Sequence, residues 1–342
     1  YALSHSPEPL PQHRNAGGEA GPLQPPLIRF SDRSSQFAHR PTRERFGGRR
    51  MKSLAASLLA LGFATTMALA GSSDPFTSKV TGHGRPMILI PGLACPGDVW
   101  EATTAHFESR YECHVLSLAG FGGAPTVERE GAMLDSVCEQ LATYIRERGL
   151  KRPVIVGHSL GGFIALDLAV RHPDLPGELI LVDSLPFLMG VMRPGATVED
   201  AKQAAAQVAG TFTRMDAEAY AAMIRSGPNG STMATNPESL DHIIAWGLAS
   251  DAATVTQAMT EMYSRDLRFE LARITSRTLA LAAWVGYAPY SNHEYINRTY
   301  REQYAELPNF ELAITDTARH FIMLDEPEWM FERMEAFLAQ TH

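Results

Sequence analysis

Cysteine is scarce in this chain of 342 residues, which contains only Cys95, Cys113 and Cys138. Three cysteines are too few for a disulfide framework, and their spacing is not that of metal ligands. The sequence also lacks a Cys-x-x-Cys pair and a glycine-rich phosphate loop of the Walker type. The sequence therefore gives no sign of a cysteine-bound metal or of a Walker-type nucleotide site.

A net positive charge is lacking everywhere except in the N-terminal part. Residues 1–70 contain nine Lys and Arg against four Asp and Glu, whereas the remaining 272 residues contain 21 against 34. Because this larger part is acidic, we expect no nucleic-acid partner. The hydrophobic content of 45% and the charged content of 20% are typical of a globular protein with one large domain or two small ones.

The N-terminal residues lack the periodicity of a folded domain. Residues 1–50 begin without Met and hold seven of the 22 prolines, so we expect a disordered segment or sequence translated upstream of the true start. Residues 51–70 follow the pattern of a secretory signal peptide, with a basic start at Met51 and an Ala-Leu-Ala cleavage site before Gly71. We expect a periplasmic or secreted protein with no stable membrane span after processing. An uncleaved membrane anchor is the alternative.

Beyond Pro86 apolar runs alternate with amphipathic stretches, a pattern that predicts a mostly parallel sheet flanked by helices. Residues 71–186 and 274–342 form this predicted α/β core. Residues 187–273 show helical signals only and predict an inserted helical cap. Seven of the 14 methionines lie in the cap, where flexible thioethers suit either a lid that repacks around apolar ligands or the core of the cap itself.

One stretch combines an apolar run, a glycine-rich turn and an amphipathic helix. Val154-Ile-Val156 predicts a buried strand, Gly157-His-Ser-Leu-Gly161 follows it, and Phe163 to Val170 continues with helical periodicity. A Gly-x-Ser-x-Gly turn in this context is typical of a nucleophile elbow, which exposes the serine hydroxyl above the sheet. The pattern therefore makes Ser159 the candidate nucleophile.

With these motifs the chain resembles the α/β-hydrolase superfamily over roughly residues 76–340. The resemblance implies Ser159 as the nucleophile, His320 as the general base, and no metal or cofactor. It also implies an oxyanion hole formed by the backbone amides of Leu93 and Leu160. The chain reads Pro91-Gly92 where relatives commonly have His-Gly, a change that still leaves the amide of Leu93 free.

The third member of the catalytic triad is the open point of this resemblance. Many relatives carry an aspartate in a Gly-x-x-Asp turn, but residues 286–290 contain no carboxylate. Asp183, at the end of a predicted strand, and Glu294, a few residues past the vacant position, are the two candidates. We favour Asp183 because the sheet would hold it in place, whereas Glu294 is expected to begin a solvated helix face.

Two residues near the predicted site, His158 and Cys95, are expected to have structural and not catalytic roles. His158 adjoins the nucleophile and is expected to point away from it as a packing or hydrogen-bonded histidine. Cys95 lies in the predicted oxyanion loop without the elbow geometry. We expect it to be a small buried residue or a disulfide partner of Cys113 or Cys138.

The sequence favours a secreted or periplasmic serine hydrolase that cleaves carboxylic esters through an acyl-enzyme on Ser159. An apolar cap favours a small or medium apolar acyl or alcohol group. Cleavage of a lactone, an amide or a carbon–carbon bond by the same triad is one alternative. A non-catalytic, hydrolase-like binding protein is another, because a fold does not fix a function.

Overall fold

The structure is a computed structural model that describes residues 74–340, except for 129, 194, 213, 227–230 and 289–290. The predicted upstream segment, residues 1–50, and the predicted signal peptide, residues 51–70, lie outside the described residues. Within the described part, no helix combines the length and the apolar composition that a membrane span requires.

The described residues form a seven-stranded sheet in the order β1-β3-β2-β4-β5-β6-β7, in which only the pairing of β1 with β3 is antiparallel. The strands are β1 Phe76–Gly82, β2 Arg85–Ile90, β3 Tyr111–Leu118, β4 Val154–His158, β5 Glu178–Val182, β6 Arg277–Ala283 and β7 Phe310–Thr315. The prediction of a mostly parallel sheet is confirmed.

The edge strand β1 is not predicted from the sequence. Its run Phe-Thr-Ser-Lys-Val-Thr-Gly is largely exposed, and only Phe76 at its start is buried. A strand at the edge of a sheet has one neighbour and needs no continuous apolar run, so a search for buried strands passes over it.

Helices cover both faces of the sheet. Within the described residues they are α1 Glu101–Phe107, α2 Met133–Glu147, α3 Leu160–Arg171, α4 Met189–Met192, α5 Val198–Phe212, α6 Ala217–Arg225, α7 Pro237–Ala249, α8 Ala252–Tyr263, α9 His293–Gln303, α10 Ile322–Asp325 and α11 Pro327–Leu338. Helix α9 begins at His293, where the side chain of Asn292 accepts a hydrogen bond from the amide of Tyr295 and caps the first turn.

The described residues between β5 and β6 contain helices α4 to α8, joined by turns, and no strand. Helix α5 packs on α8, and α6 packs on α7. Met259 and Met262 are buried, and Met223 and Met233 pack against a buried cluster. These four methionines thus fill the interior, which favours the second of the two roles considered for them. The domain boundaries at 187 and 273 remain predictions.

Two hydrophobic clusters, one on each face of the sheet, hold the parallel strands. The larger includes buried residues of α2 and α3, and the other includes Trp100, Phe107 and residues of α11. Strands β2, β4, β5 and β6 are almost entirely buried, which fixes their register. Their carboxyl ends therefore present the following loops from a rigid platform, where ligands of open α/β sheets bind.

Candidate active site

Ser159 stands between β4 and α3 in a strained backbone conformation, with φ 51° and ψ −114°. A Cβ atom on Gly157 would lie 2.3 Å from the carbonyl oxygen of Gly161, and one on Gly161 would lie 2.3 Å from that of Ile90. The amide of Ser159 donates to the carbonyl of Val182 at 2.9 Å. The turn thus has the tight, strained form of a nucleophile elbow and is tied to the neighbouring strand β5.

His320 lies in the loop between β7 and α10, next to the elbow. Its Nδ1 atom is 2.7 Å from Oδ2 of Asp183, and its side chain remains 20% exposed. Its ring lies 4.6 Å from the ring of His158, measured between centroids. The loop therefore brings an imidazole with a carboxylate partner beside the residue that precedes Ser159.

His158 is buried and supports this loop. Its Nε2 atom donates to the carbonyl oxygen of His320 at 3.1 Å, because a carbonyl only accepts. Burial and the neighbouring His320 lower the pKa of His158 well below its usual value, so the ring stays neutral. The structure agrees with the expected hydrogen-bonded histidine, although His158 contacts the candidate base and is not remote from it.

Asp183 follows β5 and, like Ser159, has a positive φ of 44°. Its backbone amide donates to the carbonyl of Leu281 at 2.7 Å. Oδ1 accepts two hydrogen bonds, from the amide of Ala283 and from the hydroxyl of Tyr300, each at 3.0 Å, and Oδ2 faces His320. The carboxylate is therefore buried, fully engaged and aimed at the imidazole.

The alternative acid, Glu294, occupies the first turn of α9 and is exposed. Among the contacts of the described residues it makes no hydrogen bond to His320. The structure brings Asp183, and not Glu294, to the candidate base. Glu294 thus has the solvated helix-face position that the sequence indicated.

The two predicted oxyanion donors lie in the elbow and in the loop after β2. Leu160 is the first residue of α3, where the amide points out of the helix and the helix dipole favours negative charge. Leu93 lies in the loop after β2, in a turn closed by a hydrogen bond from the amide of Cys95 to the carbonyl of Gly92 at 3.3 Å. Neither the Leu93 amide nor the Leu160 amide is a donor among the hydrogen bonds of the described residues.

A model of the alpha/beta hydrolase family matches residues 87–333. The chain belongs to this family. The match spans both parts of the core and the helical insertion between them, so the alpha/beta hydrolase assignment covers Ser159, Asp183 and His320 together.

Among curated proteins, this chain is similar to the pimeloyl-[acyl-carrier protein] methyl ester esterase of Aeromonas hydrophila, with 25% identity over 260 residues, covering 75% of this chain and 97% of the relative. It is 30% identical over 122 residues to the esterase of the same name from Vibrio atlanticus, covering 36% of this chain. The chain thus spans 45% of the length of the Vibrio relative that it matches.

Solved structures show the same fold at low identity. A thermophilic esterase from Thermogutta terrifontis has a TM-score of 0.62 and 22% identity, covering 77% of this chain and 92% of its own. The enol-lactonase from Burkholderia xenovorans LB400 has a TM-score of 0.63 and 15% identity, covering 78% and 96%. These likenesses show the alpha/beta hydrolase fold.

The three cysteines are poor candidates for a nucleophile in this structure. Cys95, Cys113 and Cys138 are all buried and free, so the disulfide alternative does not describe this structure. Burial raises the pKa of Cys95 to about 12, and its thiol lies 3.4 Å from the carbonyl oxygen of Leu93. A neutral, buried thiol is a poor nucleophile.

No group of potential metal ligands occurs among the described residues.

Contacts from the segment before α7 hold the His320 loop, and the sequence does not predict them. The amide of His320 donates to the carbonyl of Thr232 at 3.3 Å, and that of Phe321 donates to Met233 at 2.9 Å. The carboxylate of Asp325 accepts from the amides of Thr235 and Arg319, both at 2.9 Å. The segment before α7 is therefore attached to the loop of the candidate base.

Tyr300 was also missed. It lies on the buried side of α9, where the pattern of an amphipathic helix predicts a residue of the hydrophobic core. Its partner Asp183 is 117 positions away in the sequence. No local pattern distinguishes a tyrosine that packs from one that donates to a buried carboxylate.

Proposed function

We propose that this chain is a serine hydrolase that cleaves carboxylic esters through an acyl-enzyme on Ser159. The observation that carries the proposal is the 2.7 Å contact between His320 Nδ1 and Asp183 Oδ2 beside the strained elbow. A buried carboxylate that holds one nitrogen of a partly exposed imidazole leaves the other nitrogen to act as a base.

The proposed reaction proceeds in two halves. His320 takes the proton of the Ser159 hydroxyl as its oxygen attacks the ester carbonyl, and Asp183 stabilises the resulting imidazolium. The amides of Leu93 and Leu160 stabilise the oxyanion. His320 then gives the proton to the leaving alcohol, and the acyl group stays on Ser159. A water molecule, deprotonated by His320, releases the acid and restores the serine.

The names of the relatives support esters as the substrate class. One of them, the methyl ester esterase of Aeromonas hydrophila, matches this chain over 75% of its length. The apolar composition of the helical segment between β5 and β6, whose sequence holds seven of the 14 methionines, supports a small or medium apolar acyl or alcohol group. We also propose export, because residues 51–70 have the pattern of a signal peptide. An intact mass of the exported protein beginning at Gly71 is expected, and retention of residues 51–70 would contradict export.

The experiment that tests the function is a panel of p-nitrophenyl esters of increasing acyl length, run on the full chain together with lactones and amides. We expect ester turnover, and a loss of about four decades or more in Ser159→Ala, because removal of a nucleophile leaves only binding and oxyanion stabilisation. Ser109→Ala is the matched control, since Ser109 is exposed near α1.

The results of the panel distinguish the proposed function from its alternatives. Turnover of lactones or amides in clear preference to esters would replace the proposed substrate class. Equal turnover in wild type and Ser159→Ala would refute Ser159 as the nucleophile. An absence of turnover by the wild type with every substrate would favour the non-catalytic alternative.

A further inference from the structure

The carboxylate of Asp183 has a second set of contacts besides His320. Its Oδ1 atom accepts from the amide of Ala283, at the end of β6, and from the hydroxyl of Tyr300, on α9, each at 3.0 Å. With His320 on Oδ2, three donors from three different elements converge on one buried carboxylate. Such charge-assisted hydrogen bonds are the strong ones in proteins.

The hydroxyl of Tyr300 can act only as a donor in this contact. The residue is 4% exposed, and burial together with the nearby Asp183 raises the pKa of the phenol well above its usual value. The phenol therefore keeps its proton across the range in which esterases are assayed. An ionised carboxylate has no hydrogen to give, so the proton of the hydroxyl points at Oδ1.

Packing holds the Tyr300 ring in this position. The ring is stacked on that of Tyr304 one helical turn later, with centroids 6.2 Å apart, and Tyr304 stacks in turn on Phe310 at 4.5 Å. Phe310 begins β7, so the column connects the helix to the sheet. A donor in such a column is fixed relative to the strand ends that present Asp183 and His320.

Asp183 needs this support because its own backbone does not fix the carboxylate. The terminal torsion of an aspartate is broad, so the plane of its carboxylate rotates easily unless hydrogen bonds hold it. A rotation would take Oδ2 out of line with Nδ1 of His320 and leave a buried oxygen without a donor. The amide of Ala283 and the hydroxyl of Tyr300 are the two contacts that prevent it.

We propose that Tyr300 is a positioning residue for the triad acid, whose hydroxyl holds the Asp183 carboxylate in the plane that orients His320. This inference rests on the proposed function. It adds a residue from the element that follows the vacant acid position after β6. The acid is supplied by β5, and the helix after β6 supplies the donor that aims it.

The test compares Tyr300→Phe with Tyr304→Phe in the full chain. Both changes remove one buried hydroxyl, from α9 and from the residue that caps its C-terminus, and keep the stacked rings. The hydroxyl of Tyr304, however, donates to the backbone carbonyl of Ser184 at 2.9 Å and makes no hydrogen bond to Asp183 among the contacts of the described residues. We expect kcat of Tyr300→Phe to fall by about tenfold to a hundredfold, as for other residues that orient a catalytic group, with KM within about twofold. We expect kcat of Tyr304→Phe to stay within about twofold of wild type.

A pH profile adds a readout that a merely structural role would not move. Loss of the Tyr300 donor concentrates negative charge on the carboxylate, which stabilises the cationic form of His320, so the acid limb of log kcat/KM shifts to higher pH. The ring of His320 also lies against His158, which both variants retain. Replacement of Tyr300 by 3-fluorotyrosine, a stronger donor of the same shape, is expected to shift the limb to lower pH and covers the case in which Tyr300→Phe does not fold.

The outcomes separate this inference from the function on which it rests. Absence of ester turnover or of Ser159 acylation in the wild type would refute the proposed function. An active wild type in which Tyr300→Phe matches Tyr304→Phe in kcat would refute the role of Tyr300 alone. An acid limb that does not move with 3-fluorotyrosine would also refute it.

Discussion

Replacement of Asp183 by Asn tests the assignment of the acid with almost no change in shape. No orientation of the amide satisfies the three surrounding donors. With its NH2 group toward His320, two donors meet at the 2.7 Å contact and the imidazole is pushed into the wrong tautomer. With its oxygen toward His320, the NH2 group meets the amide of Ala283 and the hydroxyl of Tyr300.

The expected loss in kcat for Asp183→Asn is about 10⁴-fold, which corresponds to about 5.4 kcal/mol of transition-state stabilisation at 1.36 kcal/mol per decade. We also expect the free energy of unfolding to fall by about 1–3 kcal/mol, because a buried donor is left without an acceptor. Hydrolysis of a p-nitrophenyl ester measures the first effect, and urea denaturation the second.

Glu294→Gln is the matched control, since it makes the same chemical change on the exposed face of α9. Its kcat is expected to stay within about twofold of wild type, as for a surface carboxylate without a partner in the site. Retention of more than a tenth of the wild-type kcat by Asp183→Asn, or a hundredfold loss in Glu294→Gln, would refute the assignment of the acid.

Three further predictions concern the elbow, the buried histidine and the cysteines. Gly161→Ala is expected to abolish soluble expression or activity, because its Cβ would lie 2.3 Å from the carbonyl oxygen of Ile90, whereas Gly210→Ala in α5 is expected to stabilise the fold by about 0.5–1 kcal/mol in thermal unfolding. Below pH 6.5, His158 takes up a proton in the unfolded chain but stays neutral in the folded protein. The free energy of unfolding should therefore decrease as the pH is lowered, by up to about 1.4 kcal/mol per pH unit, and it should decrease less steeply in His158→Gln. Iodoacetamide is expected to leave Cys95 unmodified in the native protein and to alkylate it in urea, as peptide mapping would show.

Other results would contradict these expectations. A soluble, fully active Gly161→Ala would mean that the elbow is not as tight as the structure shows. A slope of stability with pH that His158→Gln leaves unchanged would assign the effect to other groups, such as His114, whose pKa burial also lowers. Rapid alkylation of native Cys95 would show that the loop after β2 opens.

The sequence predicts the parallel core well because the buried strands are continuous apolar runs, a strong local signal. The elbow is equally local, since its glycines and Ser159 lie within five residues. Asp183 is favoured over Glu294 because a strand end holds a side chain better than a helix start, and the structure brings Asp183 to His320.

Contacts between distant parts of the chain explain what the sequence did not predict. Tyr300 meets Asp183 across 117 positions, and Asp325 meets Thr235 across 90. Neither Tyr300 nor Asp325 belongs to a sequence motif, and nothing in its own helix marks either residue as a partner of the site. The edge strand β1 is not predicted either, because its residues are largely exposed and show no apolar run. Its pairing with β3 is what makes it a strand.

The central claim is that Ser159 is acylated and that His320 activates it. The most direct measurement is the intact mass of the full chain after incubation with a fluorophosphonate, followed by mapping of the modified peptide. We predict a single adduct on Ser159 that is absent in Ser159→Ala and forms about a thousandfold or more slowly in His320→Ala, because the hydroxyl is a weak nucleophile without its base. Absence of an adduct on the wild type, or an adduct on any other residue, would contradict the claim.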